Sequence, residues 1–444
     1  MKEIKPSPCY FLEFSLENVR CFGPKQSIDF RDAEGKPSRW TVILGDNGVG
    51  KTTLLQCLWL MSPVTYEPTD VGIFLGTVSR STHRIQWPGD FAHGMVEALA
   101  RDGLSFGLSS VIIDAGSKKA LRLSEARSNQ GIKGSQVTEI DISMVCVAYG
   151  ASRKPSRGQV AAQADWDAAT LFEEGKFLVD AEEWYLRSDY AAKSESDPSG
   201  RSAKQHEQVC EVLLALLDVE DLRVIGLDQR VAKPSVEAKS AAGWIPLRSF
   251  SLGYRTSIAW IIDFALRLYE RYPDSENPLH EPAVCLVDEI DLHLHPRWQR
   301  QLIEFLGRQF PRTQFIVTAH SPLIVQAAED ADAKVVVLRY DATAGYVTID
   351  DDVQEVRGWR VDQILTSELF GLEGPRSSAA NRLFERRAAL IMKGKLDATD
   401  QAELASIDAE IDSLPVGESS EQRHAWDVLQ RIAARLEARE SAGE

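Results

Sequence analysis

Short apolar segments alternate with helical patterns along most of this chain. Phe11–Leu16 alternates apolar and polar residues with a period of two, whereas Trp40–Leu44, Ala283–Val287 and Gln314–Thr318 are largely continuous apolar runs. Such runs are typical of strands that are buried on both faces of a sheet. Ser251–Tyr269, in contrast, carries apolar residues at helical spacing. The succession of strand, helix and strand predicts an α/β fold with a mixed, largely parallel sheet and crossover helices.

Composition and charge limit the partners and the compartment. The chain has 444 residues, 44% of them hydrophobic and 26% charged, and a formal net charge of -16. This acidity argues against diffuse wrapping of nucleic acid but is compatible with a local basic groove that binds DNA. The six cysteines form no CxxC pair, and no apolar segment has the length of a signal peptide or a membrane span. We therefore expect a cytoplasmic protein with no membrane partner.

The strongest chemical signal is the segment Gly45–Thr53, which matches the pattern GxxxxGK[ST] between a predicted strand and a predicted helix. Its backbone N–H groups would surround the phosphates of ATP at the positive end of the helix, with Lys51 on the β- and γ-phosphates and the Thr52 hydroxyl on Mg²⁺. The flanking strand and helix disfavour the alternative of a glycine-rich turn without a ligand. The residues predicted here to bind nucleotide are Asp46, Asn47, Gly48, Val49, Gly50, Lys51, Thr52 and Thr53.

A second signal is the apolar strand Val284–Val287, which ends in Asp288 and Glu289. An acidic pair after a strand is by itself common and is compatible with a solvated strand end. This pair accompanies the phosphate-binding loop Gly45–Thr53 (the P-loop). We therefore predict that Asp288 holds Mg²⁺ and that Glu289 is the general base that polarises the attacking water.

Two further segments complete the candidate site. Ser251 and Gly253 stand at the start of a predicted helix, where a serine is either a simple N-cap or an anion-binding group. His320 follows a predicted strand that would lie beside the Asp288 strand, so we predict that it senses the γ-phosphate. Lys51, Glu289 and His320 are the predicted catalytic residues.

These four segments, in this order, resemble the ATP-binding-cassette ATPases, and in particular the branch of structural-maintenance-of-chromosomes and RecF-type proteins. The resemblance covers roughly residues 8–155 and 245–345. It implies that two heads enclose two ATP molecules, with Ser251 and Gly253 contacting the nucleotide on the partner's P-loop. The LSGGQ signature is altered by Phe250, Leu252 and Tyr254. In addition, no glutamine stands in Tyr149–Arg153, where the family's Q-loop is expected.

Other stretches resemble a narrower group, the Septu PtuA-type ATPases of anti-phage defence and their relatives in retron and PARIS operons. They are Tyr149–Arg153, Leu171–Leu186, Gly358–Thr366 and Phe370–Leu372. The interval of about 90 residues between the two ATPase halves has no sustained heptads, so the long coiled coil of chromosome-organising proteins is excluded. The resemblance implies a homodimer or higher homo-oligomer and a separately encoded effector, an HNH or toprim nuclease. A RecF-like repair ATPase with ATP-dependent DNA binding is the alternative.

The pair His293 and His295 has two interpretations. An HxH pair could bind a metal. However, Asp288–Pro296 resembles the Walker B and D-loop stretch of overcoming-lysogenization ATPases, which favours a structural role for the histidines and a dimer contact for Asp291.

The expected domain organisation follows from these motifs and from the change in composition. We predict that residues 1–154 form the first half of the ATPase head with an antiparallel β subdomain, and that residues 155–245 form a short helical insertion. Residues 246–345 would form the second half of the head. Residues 346–444 would form a helical region that contacts another protomer or the effector.

Overall fold

The structure is a computed structural model of the chain. It describes residues 8–62, 64–66, 84–86, 106–114, 119–128, 131–136, 144–156, 167–195, 197, 200–226, 234–241, 243–353, 358–372, 377–393 and 396–413. The chain divides into a first unit, residues 1–361, and a second unit, residues 362–444.

The strands in the described residues are β1 (Cys9–Glu17), β2 (Gln26–Asp29), β3 (Trp40–Gly45), β4 (Val64–Tyr66), β5 (Arg84–Gln86), β6 (Phe106–Asp114), β7 (Lys119–Ser128), β8 (Gly131–Gln136), β9 (Cys146–Tyr149), β10 (Lys154–Pro155), β11 (Phe177–Leu178), β12 (Leu222–Ile225), β13 (Ser235–Ser240), β14 (Gly243–Pro246), β15 (Ala283–Val287), β16 (Thr313–Thr318), β17 (Lys334–Asp341) and β18 (Tyr346–Asp350). The α-helices are α1 (Lys51–Leu60), α2 (Ala169–Phe172), α3 (Ala181–Ser194), α4 (Arg201–Leu217), α5 (Leu252–Arg271), α6 (Pro296–Gln309), α7 (Pro322–Asp330), α8 (Val361–Thr366), α9 (Ser378–Met392) and α10 (Ala398–Ser413).

The central sheet of the first unit has six strands in the order β18-β17-β3-β16-β15-β9. The five strands from β17 to β9 run parallel, and β18 pairs with β17 antiparallel. The residues of β15 and β16 are all buried, as continuous apolar strands require when helices cover both faces. The carboxyl ends of β3, β16 and β15 meet at one edge of the sheet, and this edge carries the P-loop, His320 and Asp288.

A second sheet is antiparallel, with five strands in the order β2-β1-β6-β7-β8. The two sheets are joined by the amide of Gln314, which accepts a hydrogen bond from the Phe11 N–H at 2.8 Å and donates to the carbonyls of Phe11 and Ser38 at 2.9 and 3.2 Å. The predicted class, a mixed and largely parallel sheet with an antiparallel β subdomain, is confirmed.

The chain between the two halves of the central sheet contains strands as well as helices. Helices α3 and α4 lie in the predicted helical insertion, and Asp180 caps the first turn of α3 through its carboxylate. Strands β12, β13 and β14 form a small antiparallel sheet, which the helical periods do not indicate. The four- and six-residue strands are too short for a periodicity of two to be distinctive in the sequence.

The second unit contains a helical hairpin. Helices α9 and α10 bury Leu390, Ile407 and Ile411 between them. The ion pairs Arg386–Glu403 and Arg387–Asp408 connect the same two helices. The predicted region 346–444 also includes residues 414–444, which lie outside the described residues.

All six cysteines are free thiols. Within the part of the chain that the structure describes, no helix combines the length and the apolar character needed to cross a bilayer.

Candidate active site

The P-loop has a backbone conformation that only glycine adopts readily. Gly48 and Gly50 have φ angles of 77° and 100°, in the left-handed region. A Cβ on Gly48 would have no neighbour within 4 Å, so the loop is open on that side, whereas a Cβ on Gly50 would lie 2.4 Å from the Cys21 sulfur. Helix α1 begins directly after Gly50, so its free N–H groups and positive dipole end stand at the loop.

The predicted nucleotide-binding residues occupy this loop as a set. Asp46, Asn47, Gly48 and Thr52 are exposed, while Val49, Lys51 and Thr53 are buried. The Lys51 ammonium donates to the carbonyls of Gly45 and Asp46 at 2.7 and 2.8 Å. Burial lowers the pKa of Lys51, and the carboxylates of Asp288 and Glu289 partly offset this effect. The ammonium is thus held at the mouth of the loop by two carbonyls that a phosphate group could replace.

Asp288 is the centre of a hydroxyl–carboxylate cluster. It is 3% exposed and directly follows β15. The Thr52 hydroxyl donates to its Oδ2 at 2.6 Å, and the Thr318 hydroxyl donates to its Oδ1 at 2.6 Å. Hydroxyl and carboxylate oxygens are the ligands that Mg²⁺ prefers, and here they stand beside the phosphate loop. The donor set therefore fits a Mg²⁺ ion held by Thr52 and Asp288.

Glu289 lies in a tight turn immediately after Asp288. Its φ angle is 48°, which side-chain-bearing residues rarely adopt. The Glu289 N–H donates to Oγ1 of Thr318 at 2.7 Å, and the following Ile290 N–H donates to the Thr318 carbonyl at 2.9 Å. Thr318 thus fixes both acidic residues, because its hydroxyl bonds Asp288 and the Glu289 amide at once.

His320 and Asp291 form a separate contact at the same edge of the sheet. The His320 N–H donates to Oδ2 of Asp291 at 3.1 Å. Oδ1 of Asp291 and Nε2 of His320 are buried and have no hydrogen-bond partner among the described residues. Unpartnered buried polar atoms are uncommon and are concentrated where a ligand or partner completes the bonding.

The segment Phe250–Arg255, which we predicted to be the signature segment, leads into helix α5, the signature helix. Ser251 is exposed and its side chain makes no capping hydrogen bond, so its hydroxyl is not used by its own helix. Gly253 is buried, and a Cβ at this position would lie 2.0 Å from the carbonyl oxygen of His293. Tyr254, which replaces the usual glutamine, accepts a hydrogen bond from the Trp298 indole at 2.5 Å. The segment is therefore packed against the turn that follows Asp288 and against α6.

The two histidines of the HxH pair, His293 and His295, lie in the turn before α6 and at the N-cap of α6. His295 is the N-cap of α6, with Nδ1 accepting from the Arg297 N–H at 3.3 Å. His293 has a φ angle of 62° in the preceding turn. A search of the described residues finds no group of three or more His, Cys, Asp or Glu side chains placed to hold a metal.

Three residues at the site were not predicted from the sequence. Thr318 ends β16 and bonds the acidic pair, as described above. Nη1 of Arg20 donates a hydrogen bond to Oγ1 of Thr53 at 3.2 Å. Arg153, in the stretch where no Q-loop glutamine was found, donates to the carbonyls of Asp288 and Glu289 at 2.5 and 2.8 Å. Arg153 and Thr318 lay in segments with a motif signal, whereas Arg20 did not.

Two family models match segments that contain the candidate site residues. The family model described as "AAA domain, putative AbiEii toxin, Type IV TA system" matches residues 215–326, and a second model, "AAA domain", matches residues 13–69. The Septu protein PtuA of Bacillus mycoides (strain KBAB4) is 23% identical over 398 residues, or 89% of this chain. The chain is similar to Septu PtuA and to proteins with an AAA domain.

Two retron proteins are also similar to this chain over shorter stretches. The Retron Ec83 probable ATPase of Escherichia coli is 50% identical over 74 residues, or 17% of this chain, and the Retron Vc95 probable ATPase of Vibrio cholerae serotype O1 biovar El Tor is 41% identical over 92 residues, or 21%. The chain spans 49% of PtuA and 14% and 18% of these two retron proteins, that is, half of each relative or less. The resemblance to the Septu type, inferred from the motifs, is confirmed by the match to PtuA.

Comparison of the backbone with solved structures finds a similarity to the Smc head bound to the C-winged helix domain of ScpA. It is 16% identical and has a TM-score of 0.45, and the similarity covers 77% of this chain and 97% of that chain. The recombination mediator RecF is 14% identical with a TM-score of 0.37, covering 78% and 99%. The fold class is assigned from the sheet topology and not from these TM-scores.

Proposed function

We propose that this chain hydrolyses ATP in a composite site formed by two copies of itself, and that this cycle regulates a separately encoded nuclease in anti-phage defence. The observation that carries the proposal is the hydrogen-bonded cluster of Thr52, Asp288, Thr318 and Glu289 beside the P-loop. It brings a metal-binding hydroxyl and carboxylate next to a second carboxylate in a fixed turn.

The chemistry follows from the roles that these groups can take. Lys51 and the N–H groups of the P-loop would bind the phosphates of ATP. Bound Mg²⁺, held by Thr52 and Asp288, would supply positive charge to the phosphate oxygens. The Glu289 carboxylate would orient the attacking water and accept its proton, and His320 would contact the γ-phosphate region through its ring.

The signature segment supports a site completed by a second copy. The Ser251 hydroxyl is exposed and caps no N–H of its own helix, so it is available to a nucleotide on another protomer. Leu252 beside it is 49% exposed, which is high for a large apolar side chain. Because Gly253 is packed on the His293 carbonyl, a partner that contacts Ser251 would also contact the turn after Asp288.

The defence role rests on the relatives. The Septu protein match spans most of this chain, and the retron matches include proteins named as ATPases. A nuclease effector is what the family resemblance implies, and the helical hairpin of the second unit is the surface that we propose for contact with it or with another protomer.

The first experiment tests dimerisation and hydrolysis together. Glu289→Gln keeps the shape of the side chain but removes the base, so we expect steady-state hydrolysis to fall about 100-fold or more while ATP still binds. Light scattering after size exclusion with Mg²⁺ and ATP is expected to show a dimer for this variant and a monomer for Lys51→Ala. A monomeric wild-type chain that hydrolyses ATP at full rate would contradict the composite site.

A mixing experiment tests the trans role of Ser251. Lys51→Ala and Ser251→Arg are each expected to be inactive alone. In a 1:1 mixture, half of the dimers are heterodimers with one intact site, so hydrolysis is expected to return to about a quarter of the wild-type rate. No recovery, with heterodimers demonstrated by differently tagged chains, would show that Ser251 acts within its own chain or not at all.

The biological role is tested in the native operon. We expect phage plating to be reduced by the intact operon and restored by Lys51→Ala. If the operon leaves phage plating unchanged but Lys51→Ala raises sensitivity to ultraviolet light, the RecF-like repair role would replace the defence role.

A further inference from the structure

Arg153 contacts the backbone of the turn formed by Asp288 and Glu289, the catalytic turn, at both of these residues. It lies four residues beyond the end of β9, in the turn that follows this strand, and is 2% exposed. Its Nη1 donates to the carbonyls of Gly150 and Asp288 at 3.0 and 2.5 Å, and its Nη2 donates to the Glu289 carbonyl at 2.8 Å. One planar guanidinium therefore binds both carbonyls that flank the left-handed turn.

The turn needs such support because of its conformation. Glu289 has a φ angle of 48°, a region that glycine occupies more readily than any other residue. Glycine would adopt this conformation without strain, but it has no carboxylate. With glutamate at this position, neighbouring residues must hold the strained backbone. The Glu289 N–H is bonded to Thr318 and its carbonyl is bonded to Arg153. Both polar groups of its backbone are thus fixed, and this fixes the direction in which the side chain leaves the turn.

The charge of Arg153 is directed at carbonyl groups. Among the described residues it forms no ion pair with a carboxylate, and its Nε is buried without a hydrogen-bond partner. Burial lowers the pKa of Arg153 to about 10, while the nearby charges of Asp288, Glu289 and Asp291 oppose this change, so the guanidinium is protonated at neutral pH. A buried cation is costly. Its presence here is explained by the planar fork of donors, which bonds the carbonyls of Gly150, Asp288 and Glu289 at once.

The stretch that carries Arg153 also reaches the signature helix. The Asp288 N–H donates to the Tyr149 carbonyl at 2.8 Å, and the Tyr149 hydroxyl donates to Oδ2 of Asp263, on α5, at 2.7 Å. Arg267 donates from Nε to the same Asp263 oxygen at 2.8 Å. Tyr149–Arg153 is therefore bonded at one end to the signature helix and at the other to the catalytic turn.

We propose that Arg153 is a positioning residue for hydrolysis, which holds the Asp288–Glu289 turn by its carbonyls so that the Glu289 carboxylate is aimed at the attacking water. It would stabilise the catalytic turn from the stretch where the family's glutamine is missing. This inference rests on the proposed ATPase function.

Arg39 offers a matched control. Its guanidinium also donates to two carbonyls, those of Gly307 and Phe310, at 3.0 and 3.4 Å. It precedes β3, at the end of the central sheet opposite the P-loop. The pair Arg153→Met and Arg39→Met therefore removes the same kind of contact at the catalytic turn and away from it.

The kinetic test separates ATP affinity from the chemical step. We expect Arg153→Met to lower the single-turnover rate about 30- to 100-fold, as a small displacement of a catalytic group does, with ATP affinity changed by less than about threefold. Arg153→Lys is expected to recover part of the rate, and Arg39→Met to keep both quantities within about twofold of wild type. An unchanged rate in Arg153→Met, or an equal fall in rate and affinity, would overturn the proposal.

A double-mutant cycle tests whether Arg153 acts through Glu289. If it does, adding Arg153→Met to Glu289→Gln is expected to reduce the residual hydrolysis by less than about threefold. Independent losses that multiply would mean that Arg153 acts on the reaction by another route, which contradicts the proposal.

A measurement without nucleotide keeps the proposal testable if no hydrolysis is found. Hydrogen exchange of the peptide that covers residues 286–292 reports the Glu289 and Ile290 amides, both bonded to Thr318. We expect Arg153→Met to accelerate this exchange about tenfold or more, and Arg39→Met to leave it unchanged. Wild-type inactivity would refute the ATPase function alone, whereas unchanged exchange in Arg153→Met would refute the role of Arg153.

Discussion

The hydroxyl of Thr52 donates a hydrogen bond of 2.6 Å to Oδ2 of Asp288, although the two residues are 236 positions apart in the chain. Thr52 is in the first turn of the helix after the P-loop, and Asp288 follows a strand from the other half of the central sheet. The contact joins the two halves of the first unit at the point where Mg²⁺ and phosphates are expected.

Replacing Thr52 by valine removes the hydroxyl and keeps the shape of the side chain. We expect Mg²⁺ to lose most of its effect on ATP affinity, so that titration calorimetry with Mg²⁺ and with EDTA gives similar dissociation constants. Thr53→Val is the control, because Thr53 accepts a bond from Arg20 and does not contact Asp288. A Mg²⁺ effect in Thr52→Val as large as in wild type would show that the hydroxyl is not a ligand.

Lys51 gives a prediction on pH. Burial lowers its pKa in the folded protein, whereas the unfolded chain has the ordinary lysine value. Below the folded pKa the buried charge opposes folding, and this penalty disappears as the pH rises from the folded pKa towards the unfolded one. The unfolding free energy of wild type relative to Lys51→Met is therefore expected to rise between neutral pH and pH of about 10. Urea unfolding at several pH values checks this, and a constant difference would contradict the stated pKa shift.

Gly253 is expected to tolerate no side chain. A Cβ would lie 2.0 Å from the His293 carbonyl, so Gly253→Ala must move the signature helix or the turn after Asp288. We expect a loss of about 1–3 kcal/mol in unfolding free energy and a large fall in hydrolysis, with ATP binding by the P-loop retained. Gly175→Ala is the matched control, since a Cβ there would meet nothing within 4 Å. Full activity of Gly253→Ala would show that this close packing is not needed.

Gln314 is a stability determinant outside the active site. Its amide bonds the N–H and carbonyl of Phe11 and the carbonyl of Ser38, all in a buried setting. Gln314→Leu would leave three backbone groups without partners, so we expect unfolding free energy to fall by about 2–4 kcal/mol. Gln301→Leu, on an exposed position of α6, is expected to change it by less than about 0.5 kcal/mol. Urea denaturation distinguishes the two, and equal effects would argue against the bridge between the sheets.

The sequence by itself determined the elements whose cause is local. The P-loop needs glycines in left-handed conformations and a helix directly behind them, and both are written in one nine-residue stretch, Gly45–Thr53. The buried strands of the central sheet were visible because each is a short apolar run. The small sheet of β12, β13 and β14 was not visible, because its strands are short and their partners lie within a polar, helix-rich segment.

Only the tertiary structure decided which side chains meet. Strand β9 pairs with β15 in a register that sets Tyr149 opposite Val287, and this places Arg153 beside the carbonyls of Asp288 and Glu289. Strand β16 pairs with β15 on the other side, which brings Thr318 to the same two residues. Strand order and register depend on the packing of the whole sheet, so no local pattern encodes them. The sequence therefore predicted the groups that we propose for the chemistry, and the fold alone showed which residues contact them.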